Sequence, residues 1–472
     1  METQEYDLIV IGAGPVGENV ADRAVRAGLT AVIVESELVG GECSYWACMP
    51  SKALLRAPAA LRAARAVPGA AEAVTGSIDI AAVLARRDRI VHEWQDTSQV
   101  EWLQSAGIDL VRGFGRLSGE REVTVEAGDG STRVLRARHA VAVCTGSAAL
   151  VPDIEGLVDA APWTSREATS AHEVPASLVV LGGGVVGVEM ATAFAALGAE
   201  VTVLARSGLL GTFEPFAGNA VTEALRAVGA TVRTGVEPRS VRRDADGTIV
   251  VALDDGDEVR ADEMLVATGR TPRTDGIGLD IVGLEPGSWL EVDDSMRVRG
   301  SEWLYAVGDV NHRALLTHQG KYQARIAGDV IGRRATGAEP VSRAWGPYDA
   351  TADDSAVPQV VFTDPEVAAV GHTERSAREA GIPIRVVDYD LGWVAGASTH
   401  ADGYTGTARA IVDTERRVLV GATFVGPDVA ELLHAATIAV VGEVSLDRLW
   451  HAVPAYPTIS EVWLRWLEAL QD

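Results

Sequence analysis

Two cysteines, Cys43 and Cys48, lie in the segment Gly40-Gly41-Glu42-Cys43-Ser44-Tyr45-Trp46-Ala47-Cys48-Met49-Pro50-Ser51-Lys52. Four intervening residues is slightly more than one helical turn, so the sulfurs can meet if that turn is distorted. Three chemistries are open to such a pair: reversible thiol–disulfide exchange, metal ligation, or none, as two inert buried thiols. Zinc wants four ligands, and only Cys144 remains as a further thiol. A thiolate at a helix start has a lowered pKa and is reactive, which favours exchange. Lys52 follows one turn beyond Cys48. It is one of only two lysines, with Lys321, among 41 basic residues. A lysine kept in so arginine-rich a chain is expected to do something arginine cannot; the alternative is a solvated helix charge.

A redox pair needs an electron source, and the chain supplies two candidate dinucleotide sites. The apolar run Leu8 to Ile11 ends in Gly12-Ala13-Gly14-Pro15-Val16-Gly17, a helical stretch follows to about Ala27, and a strand from Ala31 to Val34 ends at Glu35. Gly12 allows the tight turn, Gly14 lets the backbone approach a pyrophosphate, and Gly17 lets the helix pack on the strand. The helix N-terminus offers N–H groups and partial positive charge to phosphates. Glu35 is placed to accept hydrogen bonds from a ribose diol. A glycine-rich turn in a non-binding α/β fold would not need an acid in that register. The second copy runs from the strand Leu178 to Leu181 through Gly182, Gly184 and Gly187 to a helix ending near Leu197, then the strand Val201 to Leu204. No carboxylate ends that strand; the sequence reads Leu204-Ala205-Arg206-Ser207. An arginine there can pair with a 2′-phosphate, so NADPH is the expected donor, with NADH possible. The alternative for Arg206 is a surface arginine in an arginine-rich chain. If FAD occupies the first site, Cys43 and Cys48 lie beside it. Lys52 can then stabilise the anionic reduced isoalloxazine, with Glu189, early in the second dinucleotide helix, as its candidate partner.

The remaining pattern places these motifs in a larger frame. Arg121 to Val143 alternates like antiparallel strands, and Met264 to Val266 reads as a strand. Gly346 to Pro358 reads as a linker. Beyond it, Gln359 to Phe362 and Val418 to Val425 read as strands and Glu431 to Val441 as a helix, giving a C-terminal α+β domain. A length of 472 residues suits about three domains. The net charge of −25 argues against a nucleic-acid partner. Three cysteines do not describe a secreted disulfide scaffold. The acidic N-terminus fits no signal peptide, and no apolar run is long enough to span a bilayer. A cytoplasmic protein is expected, where a disulfide is more often catalytic than structural.

With these motifs in order, the chain resembles the class I pyridine nucleotide–disulfide oxidoreductases, the flavoprotein disulfide reductases. The resemblance also rests on Cys144-Thr145-Gly146-Ser147, Ala267 to Pro272, Ala306-Val307-Gly308-Asp309, Phe362-Thr363-Asp364-Pro365-Glu366 and Pro457-Thr458-Ile459-Ser460-Glu461. It implies an α/β fold with two Rossmann-like dinucleotide-binding domains and a C-terminal α+β dimerisation domain. The implied division is 1–152 for FAD, 153–275 for NAD(P), 276–346 for a return to the FAD domain and 347–472 for dimerisation. It implies that Asp309 holds the FAD ribityl chain and that Gly115 makes a backbone contact on the adenine side. Thr145, Gly146 and Gly269 fall in its cofactor-binding segments. Cys43 would attack the substrate, and Cys48 would face the flavin. The enzyme would be a homodimer whose active sites are shared between subunits.

Two departures bear on the acceptor. In disulfide reductases a histidine precedes the Pro-Thr-x-Ser-Glu segment and serves the thiols as acid and base, oriented by the glutamate. Here that place is Tyr456, before Glu461; His451 lies five residues earlier and does not match the motif. A tyrosine with a pKa near ~10 is a poor base at neutral pH, whereas histidine near ~6.5 suits the task. Between the cysteines the family commonly carries asparagine and glycine, whereas Tyr45-Trp46-Ala47 is expected to crowd the turn. Mercuric reductases also lack the histidine, but normally end in a further cysteine pair; this chain ends Glu468-Ala469-Leu470-Gln471-Asp472. The expected function is therefore NADPH-dependent reduction, through FAD and Cys43–Cys48, of a small non-disulfide acceptor. The alternatives are a disulfide reductase that moves protons through Tyr456, His451 or water, and a non-catalytic redox sensor or structural flavoprotein. No resident metal is expected.

Overall fold

The computed structural model describes residues 3–471. Packing divides the chain into two units, one of residues 1–50, 88–149 and 270–354, the other of residues 51–87, 150–269 and 355–472. The first is built on a sheet ordered Asp109–Arg112, Ala31–Glu35, Thr3–Ile11, Thr132–Val143, Glu122–Glu126, Phe114–Gly119, with Leu304–Ala306 also paired to Thr132–Val143. Thr3–Ile11 runs parallel to its neighbours in the register Leu8 with Ala31 and Ile11 with Val34. Leu8, Ile9 and Val10 are fully buried, which is why this strand reads as an unbroken apolar run. Glu122–Glu126 and Phe114–Gly119 continue the sheet as an antiparallel meander, matching the alternation in sequence.

Helix Pro15–Arg26 packs along helix Thr317–Ala335. Glycines set their closeness: a Cβ at Gly328 would come 2.5 Å from that of Arg23, and one at Gly332 would come 2.5 Å from that of Ala27. Arg23 clamps the pair by donating from Nε and Nη2 to the two carboxylate oxygens of Asp329, at 2.8 and 2.6 Å.

The second unit holds a parallel sheet ordered Thr231–Thr234, Glu200–Ala205, Ser177–Leu181, Glu263–Val266, and a three-stranded antiparallel sheet, Pro238–Arg243, Ile249–Leu253, Glu258–Ala261. It also holds the five-stranded antiparallel sheet of the C-terminal domain, ordered Pro358–Val361, Glu366–Gly371, Val418–Gly426, Thr407–Asp413, Ile384–Asp390. The middle strand, Val418–Gly426, is buried along its whole length. The expected helix at Glu431 begins as a 3₁₀ turn, Val429–Leu432, and becomes α-helical over Leu433–Val441. The expected linker from Gly346 is irregular apart from the single turn Ala352–Ser355.

The alanine- and arginine-rich stretch after the cysteines, whose periodicity is weak, forms helices Cys48–Arg65, Ile80–Ile90 and Thr97–Ser105. Arg87 is fully buried in the second of these and donates to the carbonyls of Thr169 (2.5 Å) and Ala171 (2.8 Å). The architecture is α/β, with two Rossmann-like nucleotide folds and a C-terminal α+β domain. Among the described residues no helix is long and apolar enough to cross a membrane.

Candidate active site

The first nucleotide fold separates two kinds of glycine. Gly12 has φ +103°, and a Cβ there would lie 2.5 Å from the Cys144 carbonyl oxygen. One on Gly17 would lie 2.0 Å from the Gly12 oxygen. Both are demanded by the protein's own packing. A Cβ on Gly14, by contrast, would meet nothing within 4 Å, so the reason for a glycine must come from outside the protein. A phosphate approaching the helix N-terminus of Pro15–Arg26 supplies that reason. Beside it lies a cavity of about 430 Å³, lined among others by Gly12, Glu35, Gly115, Thr145 and Arg273. Thr145 Oγ1 is buried there with no hydrogen-bond partner from the protein, which suits a ligand group. Gly115 is held against Val34, where a Cβ would lie 2.9 Å from a valine methyl. Gly146 takes φ +72° and accepts the backbone N–H of Arg273 at 3.1 Å. Glu35 accepts the backbone N–H of Ala13 at 2.6 Å on one oxygen and that of Glu37 at 2.7 Å on the other. Its remaining lone pairs stay available to a diol. Asp309 is half-buried beside this site and accepts from Ser147 Oγ at 2.6 Å; Arg270 Nε donates to the same Ser147 oxygen at 2.9 Å. Burial raises the Asp309 pKa, and Ser147 and Arg270 oppose the shift. These features fit FAD.

The turn between the cysteines is distorted. Gly40 (φ +111°) and Gly41 (φ +57°) steer the chain into the one-turn helix Gly41–Tyr45, which closes with Trp46 N–H to Glu42 O at 2.8 Å. Trp46 breaks it at φ −136°, and Cys48 opens the next helix, Cys48–Arg65. Cys43 therefore ends up on one helix and Cys48 on the first residue of another. Cys48 Sγ lies 3.4 Å from Thr317 Oγ1, itself the first residue of helix Thr317–Ala335. Two helix N-termini thus converge on one sulfur, which favours its thiolate. The expected crowding by Tyr45 is not found. Its ring turns into the core, fully buried, and its hydroxyl donates to Val39 O at 3.1 Å. Desolvation pushes that hydroxyl's pKa up to about 12. Trp46 is half-buried against it, with ring centroids 5.6 Å apart. Cys144 is buried, and desolvation holds its thiol well above the usual range. Among the described residues no group of three or more His, Cys, Asp or Glu is placed to hold a metal ion.

The second nucleotide fold repeats the glycine logic. Cβ atoms on Gly182 and Gly187 would lie 2.2 Å from the oxygens of Ala267 and Gly182 respectively, and one on Gly184 would meet nothing within 4 Å. Arg206, just past strand Glu200–Ala205, is 87 % exposed and reaches Glu237 only at 3.9 Å. That side chain is available to a ligand. Gly269 lies at φ +159° and its carbonyl accepts Leu150 N–H at 3.0 Å. Within the same unit Lys52 Nζ lies 2.7 Å from Glu189 Oε2. Glu189 is almost wholly buried; its second oxygen accepts the backbone N–H of Phe362 at 3.0 Å, and the Phe362 ring lies under the ammonium at 5.0 Å. Truncating either partner of such a pair leaves a charge poorly compensated.

The C-terminal residues are not drawn together in the same way. Tyr456 is 77 % exposed. Glu461 is buried and accepts the backbone N–H of Gly396 at 3.3 Å. His451 is exposed and borders a separate cavity of about 270 Å³ with Arg417, Asp447 and Trp450.

Sequence reasoning missed Thr317, because nothing local links a helix start to a sulfur 269 residues away. It also missed the ion pair of Arg273 with Glu42, at 2.7 Å. Glu18, in the first turn of helix Pro15–Arg26, escaped it as well. Desolvation raises the Glu18 pKa to about 7, with Lys321 pulling it down and Glu35 pushing it up. An acid one residue after the glycine motif carries no signal of its own.

Residues 6–326 match the family model for pyridine nucleotide-disulphide oxidoreductases, and residues 357–466 match the dimerisation domain of the same family. A mercuric reductase of Shigella flexneri is 34 % identical over 462 residues, covering 96 % of this chain and 79 % of that one. A dihydrolipoyl dehydrogenase of Haloferax volcanii is 33 % identical over 468 residues, covering 96 % and 94 %. The crystal structure of LpdA from Mycobacterium tuberculosis superposes with a TM-score of 0.82 at 25 % identity, covering 99 % of both chains. Two glycine cradles, a cysteine pair on a broken helix and these matches agree: the chain belongs to the class I pyridine nucleotide–disulfide oxidoreductases, FAD-dependent NAD(P)H oxidoreductases with a C-terminal dimerisation domain.

Proposed function

We propose that this enzyme draws electrons from NADPH, passes them through FAD to the Cys43–Cys48 pair, and delivers them to a small acceptor that is not a disulfide. FAD, when bound, supplies the conversion of a hydride into electrons that a disulfide can accept. Two electrons and one proton, together the hydride that NADPH gives up, turn the Cys43–Cys48 disulfide into one thiol and one thiolate. Cys48, with Thr317 and a helix N-terminus beside it, is the thiol suited to remain ionised. Cys43 is the one offered to the acceptor. Asp309, Glu35, Gly115, Thr145 and Gly146 are assigned to FAD, and Gly182, Gly184, Gly187, Arg206 and Gly269 to the nicotinamide dinucleotide. Lys52 and Glu189 are assigned as the buried ion pair beyond the thiols.

The observation that carries the choice of acceptor is Tyr456. A disulfide acceptor releases a thiolate that must be protonated, and an exposed tyrosine in place of the histidine is poorly matched to that task. Glu461, expected to orient a histidine, has none at the matching position and accepts the backbone N–H of Gly396 on one oxygen. An acceptor such as a metal ion or quinone releases no thiol, and one relative of this chain is named for mercuric ion. The disulfide-reductase reading is favoured by the intact cysteine pair and by Tyr45, which packs inward and leaves the turn less crowded than its sequence suggests. Family membership speaks against a non-catalytic role. A steady-state screen with NADPH against disulfides, quinones and metal ions tests the choice. Fast turnover of a low-molecular-weight disulfide would overturn it. A cytoplasmic location and a homodimer with shared active sites complete the reading.

Preference for NADPH rests on Arg206 and on the absence of an acid at Ala205. A charge-assisted pair with the 2′-phosphate is typically strong. Arg206→Ala is expected to lower kcat/KM for NADPH about tenfold and to leave that for NADH nearly unchanged. Equal kcat/KM for both cofactors in the parent enzyme would contradict the assignment.

A further inference from the structure

Asp309 opens the single 3₁₀ turn Asp309–Asn311, and Gly308 before it takes φ +84° and ψ −152°, a conformation open almost only to glycine. The turn is pinned between two helices: a Cβ on Gly308 would lie 3.0 Å from a Val16 methyl, and one on Gly320 would lie 3.3 Å from the Gly308 Cα. A single side-chain oxygen ties both ends of the turn. Gln323 Oε1 accepts the Gly308 backbone N–H at 2.9 Å and Asn311 Nδ2 at 2.8 Å. The other end of that amide, Nε2, donates to Asp353 Oδ2 at 2.9 Å. Gln319, one turn before Gln323 on helix Thr317–Ala335, donates to Asp353 Oδ1 at 2.9 Å, and Arg313 Nε lies 3.2 Å from Oδ2. Gln323 and the Asp353 side chain are fully buried.

We propose that Gln323, oriented by Asp353, positions Asp309 for FAD. An ionised carboxylate only accepts, so Asp353 obliges Gln323 to present Nε2 to it and Oε1 to Gly308. Freed from Asp353, the amide could turn over and set N–H against N–H. A buried donor left unpaired is costly, so the Gly308 N–H stays with the oxygen that accepts it, and the backbone entering Asp309 stays with the Gly308 N–H. Arg313, beside the carboxylate, balances its charge. Gln323 and Asp353 are positioning residues: they act on FAD only through the turn that carries Asp309. The inference rests on the assignment of Asp309 to FAD.

The test is a double-variant cycle read as the FAD dissociation constant. The full-length holoenzyme is diluted until FAD leaves, and its release is followed by flavin fluorescence, so the result does not depend on NADPH or on the acceptor. Gln323→Met keeps the length of the side chain and removes the acceptor. It is expected to weaken FAD binding about tenfold, the scale of one buried hydrogen-bond partner lost. Asp309→Ala is expected to weaken it as well, and adding Gln323→Met to Asp309→Ala should then cost less than about twofold. A network that merely stabilises the fold would lower affinity by the same factor in both backgrounds, and that result would overturn the proposal. So would a Gln323→Met enzyme that holds FAD as tightly as the parent. Should Gln323→Met fold poorly, Asp353→Ala carries the same cycle, with about a threefold loss expected in the parent and none in Asp309→Ala. Equal losses in the two backgrounds, or no loss in the parent, refute the proposal. FAD held by Asp309→Ala as tightly as by the parent would instead overturn the assignment of Asp309 itself, and the proposal with it.

Discussion

Cys48→Ser is expected to abolish the long-wavelength absorbance of the two-electron-reduced enzyme and to cut turnover with the acceptor by at least ~10²-fold. Cys43→Ser should keep that absorbance while losing turnover to a similar degree. The asymmetry follows from where the helices break. Cys48 is the residue at which helix Cys48–Arg65 starts, and its sulfur meets the first residue of helix Thr317–Ala335 at 3.4 Å. Both helix ends and the Thr317 hydroxyl favour the anion. A thiolate is an electron-rich donor, and oxidised FAD is an acceptor. In Cys43→Ser the Cys48 sulfur has no disulfide partner and can stay ionised. Cys43 sits within the separate one-turn helix Gly41–Tyr45. Absorbance spectra of the two variants, recorded anaerobically with FAD oxidised and before any NADPH is added, check the assignment, because neither variant has a disulfide to take electrons from the flavin. A band retained in Cys48→Ser and lost in Cys43→Ser would reverse the roles of the two sulfurs.

Tyr456→His is expected to raise turnover of low-molecular-weight disulfides, by ~10-fold or more out of the 10²–10⁴ that general acid–base catalysis typically contributes. Within its own chain Tyr456 is exposed, so the substitution disturbs little packing there. Glu461 lies five residues on, with one oxygen already accepting from Gly396, and it retains lone pairs for an imidazole N–H. Activity on the native acceptor should change much less, because that step releases no thiolate leaving group. The gain should shrink as the pH rises from about 6 past 7, where the imidazole loses the proton it gives to the leaving thiolate. Steady-state kinetics of parent and variant on glutathione disulfide and lipoamide measure it. A parent enzyme that already reduces a disulfide rapidly, and gains nothing from the histidine, would move the account to the disulfide-reductase reading.

The nucleotide cradles were legible because they are local. Gly17 and Gly187 are forced by the carbonyls of Gly12 and Gly182 within one strand–turn–helix unit, and such contacts leave a fixed spacing in sequence; Gly12 and Gly182 share that spacing although Cys144 and Ala267, far along the chain, are what crowd them. The Lys52–Glu189 pair was legible for a compositional reason: lysine is so rare here that its placement carried information. What escaped were contacts made by chain segments far apart. Thr317 beside Cys48 and Arg273 beside Glu42 are of this kind, as is the Phe362 N–H bonded to Glu189. Each depends on tertiary packing that no window of sequence encodes. Tyr45 was misjudged because its direction depends on the left-handed backbone at Gly40 and Gly41, which rotates the ring inward. The helices after Cys48 were passed over because alanine and arginine there give only a weak amphipathic pattern.

Electrons from NADPH are proposed to reach Cys43 and Cys48. An anaerobic titration of the purified enzyme with one equivalent of NADPH, quenched with iodoacetamide and mapped by mass spectrometry, tests it most directly. A long-wavelength absorbance at one equivalent is expected, with alkylation of Cys43 and Cys48 that is absent before NADPH is added. Bleaching of the flavin at one equivalent, with both cysteines still resistant to alkylation, would contradict it.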